Sequence, residues 1–591
     1  MNLTIEARHL SALADRFPEL AGLRAQLRLG EKAAVPVNRL SGAHCDFLIG
    51  LYNAAGPGYR TRAAQLATLR GALGMDAKRY GNDDLEPFLL DLAHYLLGGA
   101  IRGWMFSSDI SRRPLPYVVT RVDYTPANSD ESGRVIVEMK ANAKGALVSS
   151  TIRIMAADID GHTLGEVLFR KGYMKETPEL LAAHDESSAR YFGWRRRYGE
   201  QFAAQGRAFY AEDPASPRRD TDWTRKDVVV LSASGGKARL VNDEGILEGR
   251  ALTMDVPGEL FAGFLRRAGK SNQFDCEEEM RDIAAAVPEG LFTQVPVHGF
   301  VLMFHLDLHH YVWVHVDDME PYAYAPDLKT KLVLPPEQTD LIDILTAEMD
   351  VLMDDIVEGK SGGTTVLCAG PPGVGKTLTA EVYSEIIGRP LYRVHSGQLG
   401  LNVAQMEASL KDVLTRAQRW GAVMLIDEAD VYIKRRDDDM VMNAVVGVFL
   451  RVLEYFNGLL FLTTNRVDDI DEAIVSRCIA LIRYHAPDRA GRIRIWEVMA
   501  GQFGLELEDG LAGRLADLFP AASGRDIKGL AKLAAKYCSQ KQLAPDLDAF
   551  ARCAVFRGMD PVHPAANANA GATHASRGDR PDIAAAWQGR A

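Results

Sequence analysis

Hydrophobic residues recur in three different rhythms along this chain. From Thr4 to about Ser108 the spacing is helical, as in Leu10-Ser11-Ala12-Leu13-Ala14 and from Leu85 to Leu97, with a turn at Gly56-Pro57-Gly58. From about Pro114 apolar and polar residues alternate in Tyr117–Val122, Arg134–Met139 and Ser150–Met155, the period of half-buried strands. A helix is expected from Pro178 to about Ala211, and strands resume at Asp227–Leu231 and Lys237–Val241. Beyond Leu332 the rhythm changes again. Short continuous apolar runs at Thr364–Ala369, Leu391–His395, Ala422–Ile426 and Leu459–Thr464 are separated by helical stretches, which predicts buried strands in an α/β layer. After Pro487 the pattern is helical, and from about Gly558 the Ala, Asn, Gly, His and Pro content predicts a disordered tail.

Length and composition narrow this picture. At 591 residues, with 47% hydrophobic and 25% charged residues, the chain reads as an ordinary globular protein of three or four domains. No apolar run approaches the ~18–20 residues of a membrane span; the Phe449 to Thr464 region comes nearest and is broken by Arg451 and Glu454. The N-terminus lacks a basic-then-apolar layout, so a cytoplasmic protein with no membrane partner is expected. Six cysteines, Cys45, Cys276, Cys368, Cys478, Cys538 and Cys553, lack paired spacing and suggest neither disulfides nor a zinc ribbon. A net charge of −11 disfavours nonspecific polyanion binding.

Two stretches of the first half carry candidate chemistry. Arg190-Tyr191-Phe192-Gly193-Trp194-Arg195-Arg196-Arg197-Tyr198 interleaves basic and aromatic residues, as a surface for single-stranded nucleic acid would. The preferred reading is an amphipathic helix whose arginines are solvated or paired with Asp185, Glu186 and Glu200. The window from His298 to His315 holds His298, His305, His309, His310 and His315. On one continuous strand His305, Asp307, His309 and His315 would share a face, as a Zn²⁺ or Fe²⁺ site requires, but the spacing fits a polar sheet face better.

The strongest chemistry lies further on. Gly370-Pro371-Pro372-Gly373-Val374-Gly375-Lys376-Thr377 fills every fixed position of G-x-x-x-x-G-K-[ST], between an expected strand and an expected helix. Such a P-loop turns backbone N–H groups toward phosphates, with Lys376 reaching the outer phosphates and Thr377 its hydroxyl to Mg²⁺. The candidate nucleotide-contacting residues are Gly370, Pro371, Pro372, Gly373, Val374, Gly375, Lys376, Thr377, Leu378 and Asp427, with Ile356 and Val357 near the adenine. Downstream, a buried strand ends in Asp427-Glu428: Asp427 would join the Mg²⁺ shell and Glu428 would polarise the attacking water. Asn465, closing another strand, could hydrogen-bond that water or the γ-phosphate. Arg477, ending a helix, could enter a neighbouring subunit's site in a ring, with Arg483 as a second candidate.

The ordered set G-P-P-G-V-G-K-T, L-I-D-E-A-D, T-T-N-R and D-E-A-I-V-S-R resembles the AAA family of AAA+ ATPases, from about Leu332 to Cys553. The preceding residues resemble only the poorly characterised N-terminal regions of one subgroup, in which Asn443 to Tyr455 and Leu462 to Val467 are typical. The periodicity and the resemblance together predict a multidomain chain: the hydrophobic rhythm gives a helical N-terminal module (1–108), a mixed α+β sheet-rich partner domain (109–330) and, from composition, a disordered tail (558–591), while the resemblance implies an AAA+ α/β P-loop domain (331–487) and a helical lid (488–557). Ser523-Gly524-Arg525-Asp526 is similar to the start of the lid helix that carries sensor 2, so Arg525 would touch the γ-phosphate.

It further implies a homo-oligomeric ring, usually a hexamer, using ATP and Mg²⁺ to do work on a macromolecule. A protein client bound through residues 1–330 is expected. The alternatives are a nucleic-acid remodeller and a nucleotide-gated scaffold with little turnover. One departure matters. Where threading members carry an aromatic-hydrophobic-glycine loop, this chain has Leu399-Gly400-Leu401-Asn402-Val403. No aromatic residue stands there to grip an extended polypeptide, which favours remodelling of a folded partner, or a switch, over threading.

Overall fold

The structure is a computed structural model that describes the chain from residue 2 to residue 562, apart from 30–31, 37–39, 57–58, 60–61, 64–65, 68–69, 71–77, 109–112, 213–227, 232–235, 248–250, 348–362, 401 and 437–438. Expectations for Ile356, Val357, Leu401 and the tail beyond 562 fall outside the described residues. The chain forms two compact units, Met1–Tyr322 and Ala323–Ala591.

In the first unit, alternation in the sequence becomes alternation in burial. The strand Arg134–Ala143 buries every second side chain over most of its length, as a sheet with one covered face requires. It lies in a five-stranded sheet ordered Ala146–Met155, Arg134–Ala143, Pro116–Thr125, Trp104–Ser107, Tyr173–Lys175, with antiparallel neighbours. Leu85–Leu97 is helical as expected. The helical expectation fails at Asn2–Glu6 and Lys32–Pro36, which pair as antiparallel strands and bury Leu3, Ile5, Ala33 and Val35. One apolar core runs from Leu3 to Val295, so the helical segment and this sheet are not separate modules.

A seven-stranded antiparallel sheet completes the unit, ordered Val228–Val230, Arg207–Ala211, His310–His315, Phe300–His305, Ala238–Asn242, Gln201–Ala204, Met319–Pro321. The helix expected to Ala211 stops at Trp194 and gives way to two of these strands.

The second unit carries the P-loop. Its five strands are parallel and ordered Leu391–His395, Val423–Asp427, Leu459–Thr464, Thr364–Ala369, Ala480–Arg483. Val423–Asp427 and Leu459–Thr464 are buried at every position, which is why they read as unbroken apolar runs. The chain leaves the Thr364–Ala369 strand toward one side of the sheet and returns to its other side for the last strand. That reversal opens a crevice at the carboxyl ends of the strands, where ligands bind in open α/β sheets. Four helices follow: Arg489–Phe503, Leu511–Leu518, Gly524–Lys541 and Leu547–Val555. Asp488, Ser523 and Asp546 cap three of them by accepting backbone N–H bonds. Packing extends past the expected start of the tail, since the Val562 N–H donates to the Leu518 carbonyl. Among the described residues, no helix is long and apolar enough to cross a membrane.

Candidate nucleotide site

The P-loop leaves its strand at Gly370 under tight steric control. A Cβ there would lie 2.5 Å from the Tyr484 carbonyl oxygen, so only glycine lets the two segments approach. Tyr484 is buried, and its hydroxyl donates to Thr379 on the P-loop helix at 3.0 Å. The edge strand thereby braces the loop. Gly373 and Gly375 take left-handed φ values of +83° and +104°, which a side chain would strain. The helix Lys376–Ile386 then begins with its first N–H groups at the mouth of the crevice. Pro371 and Pro372 are exposed, Val374 is half-buried, and Leu378 is 44% exposed on the first turn.

Lys376 folds back over the loop. Its Nζ donates to the Gly370 and Pro371 carbonyls, each at 2.7 Å, and to Asn465 Oδ1 at 3.0 Å. Burial lowers its pKa, and the nearby Asp430 and Asp427 carboxylates work against that shift. Lysine and asparagine, far apart in sequence, are thus one hydrogen-bonded pair.

Asp427 sits beside them with both oxygens engaged. Oδ1 accepts from the Thr377 hydroxyl at 3.0 Å and the Thr463 hydroxyl at 2.5 Å; Oδ2 accepts from Arg393 at 2.6 Å. Burial alone would raise its pKa, but the bonds from Thr463, Thr377 and Arg393 hold it below the ordinary carboxylate value. Thr377 donates its proton to Asp427 and so keeps oxygen lone pairs for a cation. An all-oxygen pair of this kind suits Mg²⁺. The next residue, Glu428, is exposed and left-handed at φ 55°, and its N–H donates to Thr463 Oγ1 at 3.0 Å. A left-handed glutamate is uncommon, and backbone strain of this type clusters at functional sites.

Asn465 is positioned from a residue to which sequence reasoning gave no role. Asp430 accepts from the Asn465 N–H at 3.0 Å and also from the Thr464 hydroxyl. Thr463, Tyr484 and Arg393 were likewise missed. The T-T-N phrase was a usable signal for the threonines; nothing local marked Tyr484 or Arg393.

The arginines divide into two groups. The Arg525 N–H donates to the Gly373 carbonyl at 3.2 Å, so the start of the Gly524–Lys541 helix rests on the P-loop. A Cβ on Gly373 would come within 2.9 Å of both Arg525 Cβ and Ser523 Oγ. Arg483 lies opposite Ala369 in the sheet, at the P-loop end. Arg477 lies at the other end, because the Ile479 N–H donates to the Thr365 carbonyl. The five residues from Thr365 to Gly370 at ~3.3 Å each put it roughly 16 Å along the sheet from the loop.

Tyr432 links the segment after Glu428 to the loop that lacks an aromatic. Its hydroxyl lies 2.7 Å from the Ser396 carbonyl and 3.0 Å from that of Gly400, and its ring stacks on Phe449. Leu399 is buried.

The two candidate stretches of the first unit have structural explanations. Arg190 bonds Asp317 at 2.5 Å, Arg195 lies 3.6 Å from Glu244, Arg197 pairs with Glu200, and Tyr191 is buried. These arginines are engaged within the chain, although Arg190 pairs with Asp317 rather than with the expected carboxylates. The histidine window is a hairpin, not one strand: residues 306–309 form its turn, which removes His309 and Asp307 from the expected face. His305 Nδ1 accepts from the Asp307 and Leu308 N–H groups at 3.3 Å, and His315 Nδ1 from the Asp317 N–H at 3.2 Å. His298 Nε2 bonds the Pro116 carbonyl at 2.8 Å. Among the described residues, no group of three or more His, Cys, Asp or Glu is arranged to hold a metal ion.

Comparison with known proteins agrees with this geometry. Residues 366–485 match the ATPase family associated with various cellular activities (AAA). The chain is 30% identical to the vesicle-fusing ATPase of Dictyostelium discoideum over 30% of its own length and 27% of that protein. It is 27% identical to the vesicular-fusion protein sec18 of Schizosaccharomyces pombe, over 30% and 26% respectively. With the ATP-dependent zinc metalloprotease FtsH 4 of Synechocystis the identity is 28%, over 29% of each chain. The match thus spans between a quarter and a third of these relatives. At residues 366–485 the chain carries an ATPase domain of the AAA family.

Proposed function

We propose that the chain binds and hydrolyses Mg²⁺-ATP at interfaces between subunits of a ring, a hexamer by family habit, and uses the energy to remodel a protein partner engaged through residues 1–330. The observation that carries the reading is the convergence of Lys376, Thr377, Asp427, Glu428 and Asn465 at one end of the parallel sheet, with Arg525 against the same loop. Thr377 and Asp427 would hold Mg²⁺, which supplies charge neutralisation for the phosphates. Lys376 would exchange its carbonyl partners for phosphate oxygens. Glu428, exposed beside Asp427, would orient the attacking water, and Asn465 would fix that water from the end of the neighbouring strand. Residues 488–557 act as a lid that senses nucleotide through Arg525.

A protein client fits the relatives whose names refer to vesicle fusion and proteolysis. A nucleic-acid client loses support because Arg190, Arg195 and Arg197 are paired within the chain. Six free cysteines suit a reducing, cytoplasmic setting. The test is steady-state ATP hydrolysis with Mg²⁺ by the full chain. Turnover that disappears in Lys376→Ala supports the reading; ATP binding without turnover would leave only a nucleotide-gated scaffold.

A further inference from the structure

Arg393 stands where the proposed Mg²⁺ site would least favour it. It projects from the strand Leu391–His395, paired in register with Val423–Asp427, and donates to Asp427 Oδ2 at 2.6 Å. The carboxylate that would attract a dication is therefore already neutralised by a guanidinium. A second carboxylate, Glu381 on the P-loop helix, lies 3.5 Å from the other end of the same guanidinium. The Arg393 Nε–H is buried and has no hydrogen-bond partner. Arginine's rigid fork is thus incompletely satisfied on Asp427, and an alternative anion lies within reach.

Like charges close together disfavour one another, and a cation bound to one side of a carboxylate weakens the pull of that carboxylate on a second cation. We propose that Arg393 is a positioning residue that competes with Mg²⁺ for Asp427 and yields by shifting toward Glu381, so that it sets the free Mg²⁺ concentration at which the site accepts Mg²⁺-nucleotide. This rests on the ATP-binding reading of the same site. It assigns Arg393 no contact with ATP. The guanidinium acts through Asp427 alone.

The test is equilibrium binding of a fluorescent ATP analogue to the full chain, titrated with Mg²⁺ from EDTA upward in a Glu428→Gln background to prevent turnover. For Arg393→Gln, the Mg²⁺ concentration giving half of the Mg²⁺-dependent gain in affinity should fall about fivefold or more, the lower range of site-to-site couplings. Affinity in EDTA should change less than about twofold over the same comparison, because the coupling acts on the cation. Glu381→Gln, at a partly buried position, should move the half-point the opposite way by denying the guanidinium its second partner. An unchanged or raised half-point in Arg393→Gln with intact EDTA affinity would overturn the proposal. If Arg393→Gln does not fold, an unchanged or lowered half-point in Glu381→Gln overturns it equally. Failure of the unsubstituted chain to bind the analogue would instead refute the ATP-binding reading itself.

Discussion

Arg477 is held by Glu454 of its own chain: Nε donates to Oε1 at 3.0 Å, Nη2 reaches the same oxygen, and Nη1 donates to the Ala473 carbonyl at 3.1 Å. Its place at the far end of the sheet from Gly370 means it cannot complete the site of the subunit that carries it. On the ring reading it serves a neighbour. Arg477→Ala should therefore keep ATP affinity while hydrolysis falls by about 10³-fold or more, the effect of such arginines elsewhere. Mixing Arg477→Ala with Lys376→Ala chains should restore part of the activity, since each supplies what the other lacks. No recovery at any mixing ratio would argue against a shared interface.

Glu428→Gln removes the proposed base but leaves the left-handed turn and the bond to Thr463. Binding of ATP should persist and kcat should drop by about 10²–10⁴-fold. Turnover at the unsubstituted rate would show that another group activates the water.

Gly373→Ala probes the contact between the P-loop and the helix beginning at Gly524. The added methyl meets Arg525 Cβ and Ser523 Oγ at 2.9 Å, and the backbone there is left-handed. A cost of about 1–3 kcal/mol is expected, borne mainly by docking of the last four helices. Nucleotide affinity should fall with little change in the far-ultraviolet circular dichroism. Unaltered affinity would mean that this contact does not shape the bound state.

The first unit should lose stability in mild acid. His298 is buried, and burial, opposed by the Pro116 carbonyl and reinforced by His184 and Lys144, lowers its pKa to about 4. Its unfolded value is about 6.5, so between those limits the unfolded chain binds the proton and the folded chain does not. Stability is therefore full above about pH 7 and falls as pH drops toward 4. From pH 7.5 to pH 5 the loss from this residue is about 2 kcal/mol. Urea unfolding at the two pH values should show a shallower dependence in His298→Gln, and an identical dependence would refute the assignment.

The parallel strands were legible because burial on both faces forces continuous apolar runs. The P-loop was legible because its residues are contiguous. What escaped notice depends on partners distant in sequence. Asn2–Glu6 and Lys32–Pro36 are strands only by virtue of each other. Arg393 acquires its meaning from register with Val423–Asp427, and Tyr484 from the glycine it presses upon. The histidine hairpin was hidden because His309 takes the left-handed turn position, at φ 55°, that glycine or asparagine usually announces.

Tyr432 gives the chain a mechanical property that its motifs do not reveal. Its hydroxyl ties the carbonyls of Ser396 and Gly400 to the turn that begins at Glu428, and its ring is wedged against Phe449. Any rotation of that turn must drag the Ser396–Gly400 segment with it, as a crank drags a rod. On the remodelling reading, with Leu399 buried and no aromatic between Leu399 and Val403 in the sequence, force would reach a partner through displacement of this segment rather than the grip of a single side chain.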